Sequence, residues 1–115
     1  MRLHDLCLLA SQLGAEALIT ITSSGATACR IARNRPQQQI IAFSTDEKVI
    51  RQLMLVWGVK PLKIDLQEHT EQMHEDAKKS ALSAGFVDNG DVLVIVSGMP
   101  VGVAGSTNMI KVDRI

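Results

Sequence analysis

The chain has 115 residues, 46% of them hydrophobic and 3% aromatic, and its twelve basic and twelve acidic side chains cancel at neutral pH. This is the size of one ordinary domain with a single core, expected to span residues 1–115. A cancelled charge leaves no field to gather nucleic acid or an anionic membrane, the few aromatics offer no base-stacking platform, and the longest apolar run, Val92 to Val96, falls far short of the roughly 20 residues that cross a bilayer.

Leu3, Leu6, Cys7, Ala10 and Leu13 recur at spacings of three and four, which predicts a surface helix stopped by Gly14. His4, Asp5, Ser11 and Gln12 break this stretch too often for a secretory leader, so a cytoplasmic protein is expected. Cys7 and Cys29 form no C-x-x-C pair, so buried thiols are expected rather than a disulfide or a zinc site. Ala17 to Ile21 (ALITI) is short, β-branched and apolar without alternation, the pattern of a strand covered on both faces. Gly25 to Arg33 predicts a helix with Arg30 and Arg33 in its last turn, where cations suit the dipole, and Pro36 beyond it.

Ile40 to Phe43 (IIAF) is a second buried strand, and Ser44-Thr45-Asp46-Glu47 has capping-box spacing before a helix reaching about Leu55. Val59 to Ile64 is a third strand, which Pro61 places at a sheet edge rather than its centre. Thr70 starts a long helix with Met73, Ala77, Ala81 and Ala84 on one face and Gly85 at its end. Glu68, Glu71, Glu75 and Asp76, mixed with Lys78 and Lys79, read as its wet face. Asn89-Gly90 turns into the most apolar strand, Val92 to Val96, and Met109 to Val112 is a last short one. Strands alternating with helices imply right-handed crossovers and a mostly parallel sheet between helices, a three-layer α/β/α sandwich of five strands. Only about ten residues separate the last two strands, too few for a helical crossover, so the final strand is expected to be antiparallel.

In an open α/β sheet, ligands settle beyond the carboxyl ends of the strands. Two loops there stand out. After LITI comes Thr22-Ser23-Ser24-Gly25-Ala26-Thr27, four hydroxyls and a glycine running into a helix start, where free amides and the dipole's positive end suit a phosphate. The same residues also cap and turn ordinary helices. After VLVIV, Gly98, Gly102 and Gly105 let main-chain amides approach a ligand, with Ser106 and Thr107 as further donors, as in a closing flap or simply a long hairpin connection. No Gly-Lys-Ser/Thr follows either loop and GMPVGVAG lacks G-x-G-x-x-G spacing, which excludes the usual nucleotide folds. His69 and His74 lie about 140° apart around a helix, so they share no metal on one face, and with His4 they read as solvated. Nothing places a histidine near Ser23 or Ser24, so no Ser-His-Asp set can be argued. Trp57, before a glycine at a helix end, reads as a packing anchor, with stacking on a ligand as the alternative.

Taken together, TSSGATACRIARNRP, IIAFSTDE, LVWGVKP, GDVLVIVSGMPVG and GSTNMIKV resemble, in order and spacing, the carboxy-terminal domain of pyruvate kinase, most of all its bacterial branch, over nearly the whole chain. The resemblance implies a domain that binds a phosphorylated effector and builds subunit contacts in an oligomer. It also implies that catalysis, with its magnesium and potassium, belongs to a separate barrel, so that this chain alone transfers no phosphate and carries no cofactor or metal. Residue by residue, the effector phosphate would rest on Thr22, Ser23, Ser24, Gly25 and Thr27, with the segment Gly98 to Thr107 folding over it. Eukaryotic members that respond to fructose bisphosphate have Lys where this sequence has Ser23 and Arg on the long helix near where Met73 stands. Without those two cations the expected ligand is a monophosphate such as AMP, ribose 5-phosphate or glucose 6-phosphate. Two other readings fit the same residues: a structural module that joins subunits around an empty turn, and a freestanding small enzyme that handles phosphate on a borrowed fold.

Overall fold

The computed structural model describes residues 3–22, 24–34, 36–65, 70–97 and 109–115. Its elements are α1 (Leu3–Leu13), β1 (Ala17–Ile21), α2 (Ala26–Arg33), β2 (Gln39–Ser44), α3 (Glu47–Leu53), β3 (Val59–Lys63), α4 (Thr70–Ser83), β4 (Val92–Ser97) and β5 (Met109–Arg114). The strands form one sheet in the order β3-β2-β1-β4-β5. β1 runs parallel to both β2 and β4, β2 is parallel to β3, and β5 is antiparallel to β4.

Crossover handedness places the helices. The steps β1-α2-β2 and β2-α3-β3 walk the sheet in one direction, so right-handed connections lay α2 and α3 on the same face; α4 returns from β3 to β4 and lies on the other. Alternate strand residues therefore enter two cores. Leu18, Ala42 and Val94 pack with Cys7 and Ala10 of α1, Ile31 of α2 and Leu53 of α3, whereas Ile19, Ile41, Phe43 and Ile95 pack with Ala77 and Ala81 of α4. β3 is an edge strand, as Pro61 requires. Burial also raises the Cys7 thiol pKa, which keeps it in the unreactive form, while Cys29 is half-buried.

Four local readings are corrected. The cap of α3 is Asp46, whose carboxylate accepts from the Lys48 amide at 2.9 Å, while Ser44 Oγ accepts from the Asp46 amide at 3.2 Å. Glu47 is thus the first helical residue rather than the third, and its carboxylate reaches Lys63 at 3.1 Å instead of closing a box. The inner stripe of α4 is carried by Met73, His74, Ala77 and Ala81; Ala84 lies beyond the helix and is exposed. His74 is 1% exposed, not solvated, because spacings of three and seven residues put it in line with Ala77 and Ala81. Trp57 is no packing anchor: it is 77% exposed, since α3 ends at Leu53 and the chain turns outward before Gly58.

The supposed wet face of α4 is also divided. Glu71, Glu75 and Lys79 are exposed, but Lys78 bends under the helix, with Nζ 2.9 Å from Asp113 on β5 and 3.1 Å from Glu75. Lys111 stands 3.4 Å from the same Asp113 carboxylate. Hydrogen bonding from Lys78 is the main reason the Asp113 carboxyl is pushed down to about 2, against the opposing effect of burial.

Gly25, at the entrance to α2, has φ +85°, and a Cβ there would meet Leu53 Cδ2 at 3.2 Å. Gly85 has φ +78° with nothing within 4 Å of such a Cβ. Gly85→Ala should therefore cost only the left-handed penalty of about 1 kcal/mol, and Gly25→Ala about 1–2 kcal/mol more, as read by urea unfolding. Equal losses would show that α3 does not press on the turn.

Asp113, with its folded pKa below the ordinary 3.8, contributes stability that is present above that value and lost as pH falls toward about 2. Asp113→Asn should accordingly cost about 1–2 kcal/mol at pH 7, with the gap from the parent chain closing between about pH 4 and 2 in denaturant titrations.

Candidate functional site

The sheet brings the carboxyl ends of β1 and β4 side by side, with Ile21 paired to Ser97 on one side and to Phe43 on the other. The chain leaves the sheet only after Thr22, whose amide still donates to Phe43 O at 2.9 Å. There it turns sharply. Thr22 is buried, and its Oγ1 accepts from the Gly25 amide at 2.9 Å; Ser24 Oγ, at the exposed outer side, accepts from the Ala26 amide at 3.3 Å. Gly25 O then takes the first helical hydrogen bond, from the Cys29 amide at 3.1 Å.

The two hydroxyl clips take the Gly25 and Ala26 amides, so the donors that the left-handed Gly25 and the start of α2 present to an anion are the amides of Thr27 and Ala28, which precede the first helical hydrogen bond. The positive end of the α2 dipole points the same way. A hydroxyl that accepts from an amide keeps its own O–H to donate, so Thr22 and Ser24 clip the turn and still offer donors outward. Thr27, half-buried on the first turn of α2, supplies another hydroxyl. No Lys or Arg occurs between residues 22 and 27, so what the turn itself offers an anion is dipoles and hydroxyls.

Ser97 lies opposite Met109 across the β4-β5 pair. Ser97 and Met109, the described neighbours of the segment 98–108, therefore both sit at this rim, the first on the strand next to β1 and the second one strand further. The structure thus brings together Thr22, Ser24, Gly25, Ala26 and Thr27 and sets Ser97 and Met109 at the same rim. Ser23, Gly98, Gly102, Gly105, Ser106 and Thr107 lie outside the described residues.

Ser44 ends β2 at the same rim, 1% exposed with its hydroxyl turned to the Asp46 amide, and the sequence reading spent it on a capping box. Thr20, two residues before Thr22 on the same strand face, is wholly buried, and its Oγ1 has no hydrogen-bond partner among the described residues. Its place within an apolar run gave no sign of that. Trp57 lies at the opposite rim, lining with Pro36, Gln39 and Lys60 an open depression of about 380 Å³ near the starts of β2 and β3. It cannot stack on a ligand held at Gly25. His74 belongs to the layer on the far side of the sheet from α2, so it is not a base for Ser24. Among the described residues no three His, Cys, Asp or Glu side chains gather as a metal site, and no helix is long and apolar enough to cross a membrane.

Comparison with known proteins matches residues 3–113 to the family model described as the pyruvate kinase alpha/beta domain. Pyruvate kinase from Lactobacillus delbrueckii subsp. bulgaricus is 42% identical over 106 residues, 92% of this chain and 18% of that protein. Pyruvate kinase from Clostridium acetobutylicum is 41% identical over 109 residues, 95% of this chain and 23% of that protein, and the Lactococcus lactis enzyme is 41% identical over 92% of this chain and 21% of its own length. The chain thus spans about a fifth of the length of these curated relatives. Matched along nearly all of its length, with the mostly parallel five-stranded sheet and the antiparallel last strand its sequence predicts, this chain belongs to the pyruvate kinase alpha/beta domain family.

Proposed function

We propose that this domain is the regulatory part of a pyruvate kinase, binding a phosphorylated effector at the carboxyl ends of β1 and β4 and joining subunits of an oligomer. Transfer of phosphate from phosphoenolpyruvate to ADP, as a cytoplasmic glycolytic enzyme with its magnesium and potassium, is assigned to a catalytic barrel outside this chain. The observation that carries this reading is the turn after β1: a left-handed glycine, two hydroxyl clips and a helix start, with Ser97 on the neighbouring strand and Met109 one strand further at the same rim. Such a site grips by main-chain donors and suits a single phosphate better than two, because the turn itself carries no Lys or Arg for the second. Regulation would follow if the effector binds one arrangement of the oligomer more tightly than another.

Calorimetric titration of the 115-residue chain with AMP, ribose 5-phosphate, glucose 6-phosphate and fructose 1,6-bisphosphate tests the reading. Heat with at least one monophosphate, and weaker or no heat with the bisphosphate, is the expected result; no heat with any of the four would favour a module that only joins subunits. Ser24→Asp should weaken the monophosphate at least about tenfold by like-charge repulsion, with the melting temperature nearly unchanged because Ser24 is exposed. Undiminished affinity in that variant would remove the turn from the site.

A further inference from the structure

The most unusual buried group lies away from the Thr22 rim. His74 sits on the inner face of α4 with 1% of its surface exposed. Lys78, one helical turn further on, pairs with Asp113 of β5 at 2.9 Å. α4 and β5 each run opposite to β4, so they run together, and their repeats match: four helical residues rise about 6 Å and two strand residues about 6.6 Å. With Lys78 over Asp113, His74 is therefore in register with Lys111. The seam between helix and edge strand reads His74 and Lys78 on one side, Lys111 and Asp113 on the other, with Glu71 and Glu75 on the outer flank of the helix.

We propose that His74 is a proton-operated latch on this seam: neutral, it lets α4 close on β5, and once protonated it drives helix and edge strand apart. Opposite His74 the strand already presents a cation, Lys111. Lys78 and Lys111 already share the Asp113 carboxylate, at 2.9 and 3.4 Å, and Lys78 also takes Glu75 at 3.1 Å. An imidazolium would put a charge on a ring that is itself closed to water, across from Lys111, while Asp113 is already shared by two lysines and Glu75 is engaged by Lys78. Burial is the first reason that His74 resists protonation and the charge of Lys111 the second; Asp113, Glu71 and Glu75 pull the other way and are outweighed. A histidine whose folded pKa lies below its ordinary value costs the closed state nothing at high pH and progressively more as pH falls below that value. β5 is attached on its other side only to β4, and its first residue, Met109, receives the segment 98–108. A proton on His74 therefore loosens the strand that anchors one end of that segment. The inference makes no use of the effector reading and stands or falls separately from it.

Two measurements on the 115-residue chain test it. In a proton NMR titration, His74 should titrate below 6.5. Amides of Lys111 to Asp113, after correction for the chemical exchange rate, should open about threefold to tenfold more readily at pH 5.5 than at pH 7.5, since opening returns the imidazole to its ordinary affinity for a proton. His74→Leu should remove that pH dependence, and His74→Gln should do the same if the leucine variant does not fold. A His74 pKa at or above 6.5, exchange in β5 that ignores pH, or an undiminished pH response in a folded variant would each overturn the latch.

Discussion

Everything at the Thr22 rim depends on β1 being held on both sides at once. Its Cα register ties Ile21 to Phe43 of β2 and to Ser97 of β4, and its middle residues are sealed between two helical layers. With no freedom along or across the sheet, the strand delivers Thr22 to one place. The Thr22 hydroxyl can then close on the Gly25 amide, and Gly25 can take the left-handed conformation under the side chain of Leu53. The start of α2 is thus positioned by the core rather than by the loop, which is the kind of support a small dipolar site requires.

The two feet of the glycine-rich segment are held differently. Ser97 continues β4, which is buried between β1 and β5, whereas Met109 begins an edge strand covered by one helix. The cover of that strand is partly polar, a lysine-aspartate pair beside a buried histidine, where the rest of α4 packs through alanines. Apolar packing tolerates pH, while a polar seam responds to it. One foot is therefore fixed, and the other is secured by contacts that solution conditions can alter.

Most of the fold was legible because the signals were redundant. ALITI, IIAF and VLVIV are apolar on both faces, which only a sheet covered twice accommodates, and the short connection before MIKV left the antiparallel arrangement as the one possible. The candidate turn was legible through its hydroxyls and glycine, a local chemistry that tertiary packing does not rewrite. What escaped was burial of polar or amphipathic side chains. His74 follows the inner stripe of α4 as faithfully as Ala77, yet between a methionine and two acids it counts as polar, and only the approach of Lys111 and Asp113 gives it a setting. Lys78 escaped for the same reason, its partner being 35 residues away. Trp57 failed in reverse, since a large ring next to a glycine suggests an anchor while α3 has already ended. The cap of α3 was misjudged because Ser44 and Asp46 can both serve as helix starters, and the hydrogen bond to Lys48 decides between them.

The sheet order has a consequence for how the protein is made. Ala17 pairs on one side with Gln39, but on the other with Leu93, which is 76 positions further along. While the chain emerges from a ribosome, β1, β2 and β3 can assemble under α2 and α3, but the opposite flank of β1 stays bare until β4 has been synthesised. Through that interval Leu18 and Ile19 border an open hydrogen-bonding edge, and it is the late arrival of VLVIV that withdraws it from other nascent chains.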